Sequence, residues 1–368
     1  MSVLPSDIVT YGSANMPEAD GSTVGGAVDF TRRIAFYDLS AAGTVDVISS
    51  SVSDTATKIA YYGRDVSGVI QTETLTLNGR AWVTGSPTLE RLLYAALSGA
   101  SANGPITNPG GTAAVGDVAL AAHGCILPTG SVTTDATART AQAGSVNATG
   151  TTPALFKLQA GDGALVTIGQ VIWTKSGTGA NQLRQIIATA GYGTDVVAVS
   201  RDWSPVPDGT TAYKILQGML FEISPNKVTS ITRAFATSAA DAAGGTARTF
   251  YEKVFVVNNN AASALTGAQI EIAGETPALP SGALLDIALC TGLNDANISA
   301  NRQTAPVSGA GAFVTQPAFV NVPGAGNLPP GAAPNAAGAQ GLWLRLTLPA
   351  GAAAYKGSAD LRTQGTTT

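Results

Sequence analysis

Charge is scarce in this sequence. Asp, Glu, Lys and Arg make up 12% of its 368 residues, about half the ~25% of an ordinary soluble protein. The 20 basic and 24 acidic residues leave a net charge of −4. With no basic run to track phosphates, the balance argues against nucleic acid and against an anionic membrane surface. A surface so thinly charged is poorly defended against association, so much of it is expected to lie under other copies or partners.

Histidine is nearly absent. His123 is the only one, so a Ser-His-Asp triad, a Cys-His dyad or a proton relay would have to use it. His123-Gly124-Cys125 offers two metal ligands where zinc needs four, and the one other cysteine is the distant Cys290. Two cysteines so far apart in unlike contexts read as buried free thiols rather than a disulfide framework. No apolar stretch approaches the length of a bilayer span, and MSVLPSDIVTYG lacks the basic start and apolar core of a signal peptide, so the chain is expected to stay in the cytoplasm until assembly.

Motifs that carry chemistry are missing too. Gly161-Asp162-Gly163 and Gly177-Thr178-Gly179 have no following helix and no Walker lysine, and read as β-turns. Asp54, Asp65, Asp162, Asp195, Asp202 and Asp208 mostly stand beside Gly, Thr or Pro, where a carboxylate bonds the turning backbone, and none falls in a calcium-loop pattern. No catalytic, cofactor-binding or metal-binding residue is assigned, and no cofactor is expected.

What is present is turn and strand punctuation. The reading is mainly β, with several antiparallel sandwich or barrel-like modules, one short helix and an extended N-terminal arm. Lys58 to Gly85 reads as three short strands joined by turns at Asp65–Gly68 and Asn78-Gly79, the latter a strong hairpin signal. Residues 1–28, interrupted by Met16-Pro17-Glu18 and Gly25-Gly26, read as the arm, and 29–110 as a β module. Its helix spans 86–98: Ser86 is a good N-cap, Pro87 suits the first turn, and Leu89, Leu92, Leu93, Ala96 and Leu97 keep helical spacing. Residues 111–153 are Gly-, Ala- and Thr-rich and read as a linker region.

In 154–217, short strands spaced by Gly turns predict a small all-β module with Phe156, Ile172, Ile186, Val197, Trp203 and Ile215 as its core. Residues 218–368 predict a terminal β-sandwich containing strands at 248–257, 268–272, 284–289 and 341–348, with 321–340 a surface loop and 362–368 a frayed tail.

Three stretches together resemble a known family. YYGRDVSGVIQTETLTLNGRAWVTGSPTLERLL, SGTGANQLRQIIATAGYGTDVVAVSRDWSPVPDGTTAYKIL and LPPGAAPNAAGAQGLWLRLTLPAGAAA are similar to β-repeats and terminal sandwiches of tailed-bacteriophage virion structural proteins. The resemblance covers about half the chain, and none of its motifs marks an active site. It implies a non-enzymatic head decoration, or cement, protein on the capsid surface, made in the host cytoplasm. Its partners would be the major capsid protein and other copies of itself, a trimer by analogy. Within the arm, Tyr11, Met16, Pro17, Glu18, Val24 and Val28 become candidates for lying across neighbouring subunits. A tail or neck component, and a receptor- or carbohydrate-binding virion protein using Trp173, Trp203 or Tyr61-Tyr62, are the alternatives.

Overall fold

The computed structural model describes residues 3, 7–34, 39, 41–100, 108–123, 139–146, 154–216, 221–223, 230–236, 238, 245–276, 278–324, 326–331, 336–352, 355 and 357–367. Its elements are antiparallel strands almost throughout, so the mainly β reading holds. The chain divides into two units: Met1–Ala35 with Asn103–Pro105 and Thr232–Thr368, and Phe36–Ala102 with Ile106–Ile231.

The first unit is built on the strand Arg248–Asn258. Its sequence, RTFYEKVFVVN, is rich in aromatic and β-branched residues that suit a pleated surface buried on both sides. On one edge it pairs with Ala339–Leu348, from Arg248 opposite Leu348 to Val257 opposite Ala339. On the other it pairs with Ile8–Asn15, from Ile8 opposite Asn258 to Gly12 opposite Val254. Leu284–Leu293 extends the sheet beyond Ala339–Leu348, and Val24–Ile34 extends it beyond Ile8–Asn15.

Alternation sends Val254 and Val256 to one face, where they meet Leu342, Leu344, Ile287 and Leu289. Packed over that face is a smaller sheet of Val320–Asn321, Leu265–Thr276 and Ser358–Thr367, which contributes Leu265, Ile270, Ile272, Val320 and Leu361 to the same core. The result is a β-sandwich. Tyr251, Phe255 and Val257 occupy the opposite face, among Trp343, Cys290 and Tyr11. Cys290 is a buried free thiol whose pKa is pushed up to about 12 by burial, whereas Cys125 lies outside the described residues.

Three sequence expectations are corrected here. The described part of 1–28 is no extended arm: Ile8–Asn15 and Val24–Ile34 are strands of the unit's main sheet, because the partner that gives them a core is about 240 residues away in sequence. The 321–340 stretch is not a surface loop throughout, since Val322 and Leu328 are buried in the sandwich core. Arg362–Thr367 is not frayed, since it belongs to a strand paired with Leu265–Thr276.

In the second unit, Lys58–Arg64 lies between Ile70–Thr76 and Arg91–Leu97. Asp65 builds the first hairpin turn, its Oδ1 accepting the Ser67 and Val69 amides at 2.9 Å each, with Gly68 at φ +78°. The second turn is displaced by one residue. Asn78 and Ala81 bridge, Gly79 at φ +55° and Arg80 form the corner, and the strand that follows, Val83–Thr84, pairs with Val45–Ser49 instead of returning along Ile70–Thr76.

The expected helix at 86–98 is the strand Arg91–Leu97. Leu92, Ala95 and Leu97 enter one core, and Tyr94 and Ala96 another. An apolar run covered on both faces satisfies helical spacing and strand burial equally, so periodicity could not separate them. Within the stretch read as linker, Val118–Ala122 pairs with Val45–Ser49, and Arg139–Thr140 pairs with Ala212–Leu216.

The small module is a six-stranded sheet of Ala154–Lys157, Val196–Val199, Gln182–Ala188, Val171–Ser176, Ala212–Leu216 and Arg139–Thr140, in that order. All six expected core residues, Phe156, Ile172, Ile186, Val197, Trp203 and Ile215, meet in one cluster. Its other face meets the sheet of Val45–Ser49 and Val118–Ala122 through Val171, Trp173, Leu183 and Leu216 against Ile48 and Ala119.

Trp203 anchors the small module: its ring stands 5.2 Å from Phe156, and Nε1 donates to Leu155 O at 2.9 Å. Trp203→Ala should destabilise the protein by about 3–5 kcal/mol in denaturant unfolding. Val66→Ala, at a side chain 68% exposed, should leave the midpoint unchanged. Equal midpoints for the two variants would contradict this assignment of the core.

Candidate functional site

A concavity lies in the second unit. It encloses about 420 Å³ and is lined by Arg80, Ala81, Trp82, Trp173, Lys175 and Lys214. Its walls follow from a turn and a strand pairing. The Asn78–Ala81 turn places Arg80 and Trp82 on one side. On the other side stand Trp173 and Lys175, the latter at a register irregularity of its strand, and Lys214 joins them by register, opposite Trp173.

Arg80 Nε donates to Ser50 O at 2.8 Å, and Nη2 donates to Asn181 Oδ1. Burial lowers its pKa from the usual arginine value. Lys175 Nζ stands 5.4 Å from the centre of the Trp173 ring. Trp173 Nε1 is buried without a hydrogen-bond partner. Three cationic side chains thus stand beside two indoles in a shallow notch. Trp173 stood out in the sequence, whereas the approach of Arg80, Lys175 and Lys214 depends on a turn, a register irregularity and a strand pairing that no local pattern announces.

The residues expected in an assembly arm are instead committed to their own unit. Tyr11 is buried, with its ring 5.2 Å from Phe30 and its hydroxyl accepting from Asn259 Nδ2 at 3.0 Å. Met16 lies in the sandwich core, Val24 packs with Trp343 and Cys290, and Val28 packs beside Tyr11. Pro17 and Glu18 are half-buried in the connection between the two strands. Buried Arg302 holds that connection, donating from Nη1 to Glu18 O at 2.9 Å and to Asp20 Oδ1 at 3.2 Å, and from Nη2 to Glu252 Oε1 at 2.9 Å.

His123 Nδ1 lies 2.9 Å from Asp46 Oδ1, on the exposed rim of Val118–Ala122. No group of three or more His, Cys, Asp or Glu side chains among the described residues could hold a metal ion. Trp203 and Tyr61 are core residues, and Trp173 is only 3% exposed.

The carboxylates read as turn builders do accept backbone and hydroxyl hydrogens. Asp195 Oδ2 and Oδ1 accept the Gly161 and Gly163 amides at 3.0 and 2.9 Å. Asp208 Oδ1 accepts the Thr210 amide at 2.8 Å. Asp54 accepts the Val115 and Gly116 amides at 2.7 and 3.0 Å. Hydrogen bonds hold three of these carboxyls below the usual aspartate value of 3.8: Asp65 chiefly through Gln71, Asp195 through Gly161 and Gly163, and Asp208 through Thr210.

A depressed folded pKa means that the unfolded chain binds the proton more readily. The stabilisation from these groups is therefore present above pH 3.8 and lost as pH falls through the lowered folded values. A combined Asp65→Asn, Asp195→Asn, Asp208→Asn variant should melt lower than the parent at neutral pH and show a shallower loss of melting temperature on acidification. An unchanged acid limb would contradict the turn role.

No family model matches the chain, and no curated protein matches it. Among solved structures, a crystal structure of the infectious bursal disease virus VP2 subviral particle aligns over 100% of this chain and 68% of that one, at 11% identity and a TM-score of 0.12. A likeness that faint carries no argument.

Proposed function

We propose that this protein is a non-enzymatic structural component of a tailed-bacteriophage virion, a decoration protein that binds and stabilises the major capsid shell and associates with its own copies. The observation that carries the reading is the poverty of surface charge. The chain has only 20 basic and 24 acidic residues, and several of these, among them Arg32, Arg184, Arg302, Lys253, Glu252 and Asp286, are inside. Large apolar side chains are exposed as well, among them Val52, Val66, Val115, Leu165, Ile168 and Val307. That composition suits association over a broad, weakly polar area. The resemblance of three stretches to virion proteins supplies the context.

With Tyr11, Met16 and Val24 taken up by their own core, contact with the shell falls to other surfaces. Leu165 and Ile168 are 55% and 65% exposed on one loop of the small module, and Val307 is 92% exposed. Imaging of particles should find copies over the whole shell. A ring or stack at one vertex would point to a neck or tail component, and absence from particles would overturn the proposal. Leu165→Asp with Ile168→Asp should preserve folding and reduce incorporation into particles at least severalfold; full incorporation would rule that loop out as a contact.

A further inference from the structure

The strand Ser358–Thr367 runs along the edge of the sandwich's smaller sheet. It pairs on one side with Leu265–Thr276, from Leu265 opposite Thr367 to Thr276 opposite Ser358. Among the described residues no strand lies on its other side. Nearly all of its residues are exposed; Leu361 and Thr363 are half-buried, and Leu361 reaches the sandwich core. Such an edge presents unpaired backbone donors and acceptors, and proteins ordinarily blunt it with proline, lysine, a covering segment or a very short strand. This strand is ten residues long, SADLRTQGTT, with neither proline nor lysine.

Its two charges have opposite sign and flank Leu361. Asp360 and Arg362 share the outward face with Gln364, and Leu361 and Thr363 face the core. We propose that Ser358–Thr367 is a self-association edge, pairing antiparallel with the same strand of a second copy about a two-fold axis at Leu361. In that register Leu361 faces its own counterpart and extends the apolar inner face across both copies. Asp360 lies opposite Arg362 of the second copy, and Arg362 opposite its Asp360. Ala359 meets Thr363, and Ser358 meets Gln364.

Sliding the two-fold axis to residue 360 or 362 sets Asp360 against Asp360 or Arg362 against Arg362, so the charges select one register. Arg362 remains available for this, because it is 56% exposed and its own-chain carboxylate contacts are long, 3.6 Å to Glu271 and 3.8 Å to Asp360. The palindrome of charge about Leu361 is what commits the occupant to a second copy, in an isologous contact, rather than to an unrelated strand.

The inference rests on the reading that the protein associates with itself, but its test needs no particle. Sedimentation of the purified full chain over a range of concentrations should show a dimer. Arg362→Asp should weaken the dimer about tenfold or more, since two facing pairs turn repulsive, and so should Asp360→Arg. Mixing these two variants should restore dimers, because every facing pair is then complementary, and Asp360→Arg with Arg362→Asp in one chain should restore them too. A cooperative thermal transition and an unchanged far-ultraviolet circular dichroism spectrum confirm that each variant folds. A wild-type protein that stays monomeric, or a dimer indifferent to the single changes, would overturn the proposal. Dimers of a protein absent from particles would keep this inference and remove the virion reading.

Discussion

The burial of Arg248–Asn258 on both faces is the constraint from which the first unit follows. Neighbouring strand residues point to opposite faces, so the adjacent charges Glu252 and Lys253 are both forced inside. A buried charge is costly unless it is paired and hydrogen-bonded. Lys253 Nζ donates to Asp295 O at 2.9 Å, to Asn297 O at 3.1 Å and to the Asp295 carboxylate, between the rings of Phe255 and Trp343. Glu252 accepts from Phe235 N and from Arg302, each at 2.9 Å. Two loops are thereby pinned to the sheet, and through Arg302 so is the connection at Glu18–Asp20. Loop position and the integration of the N-terminal strands into the sheet are consequences of one doubly covered strand.

The second unit has a comparable node at Asp117. Its Oδ2 accepts the Leu183 amide at 2.9 Å and Arg184 Nη1 at 3.0 Å, and lies 3.1 Å from Arg201 Nη2. Arg184 also donates to Asp202 O and lies over the Trp203 ring at 5.0 Å. Asp117 lies just before Val118–Ala122, and Leu183 and Arg184 lie in the six-stranded sheet, so this carboxylate ties the two sheets together where Trp173 and Leu183 meet Ile48 and Ala119. The notch at Arg80 and Trp173 depends on that placement.

The parts of this fold legible in the sequence are those decided locally. Strands 171–176, 182–188, 196–199 and 212–216 were readable because Gly turns separate short alternating runs, and the six predicted core residues converge. Arg91–Leu97 was misread because a run apolar on both faces has no strand period to detect. Ile8–Asn15 was misread because its partner is remote; nothing local in Tyr11 or Met16 announces a core supplied by residues beyond 250. The notch was illegible for the same reason, since Lys214 reaches Trp173 only through strand register. The edge strand Ser358–Thr367 was hidden because its stretch from Arg362 onward reads as a polar tail.

The integration of the N-terminal strand is the claim on which the rest turns, and hydrogen–deuterium exchange measures it most directly. Amides of Ile8–Asn15 that pair with Arg248–Asn258 should be protected to a similar degree as those of Arg248–Asn258 itself, because both belong to one cooperative sheet. Exchange of Ile8–Asn15 at the rate of an unstructured segment, with Arg248–Asn258 still protected, would contradict the account and return this stretch to the status of a free arm.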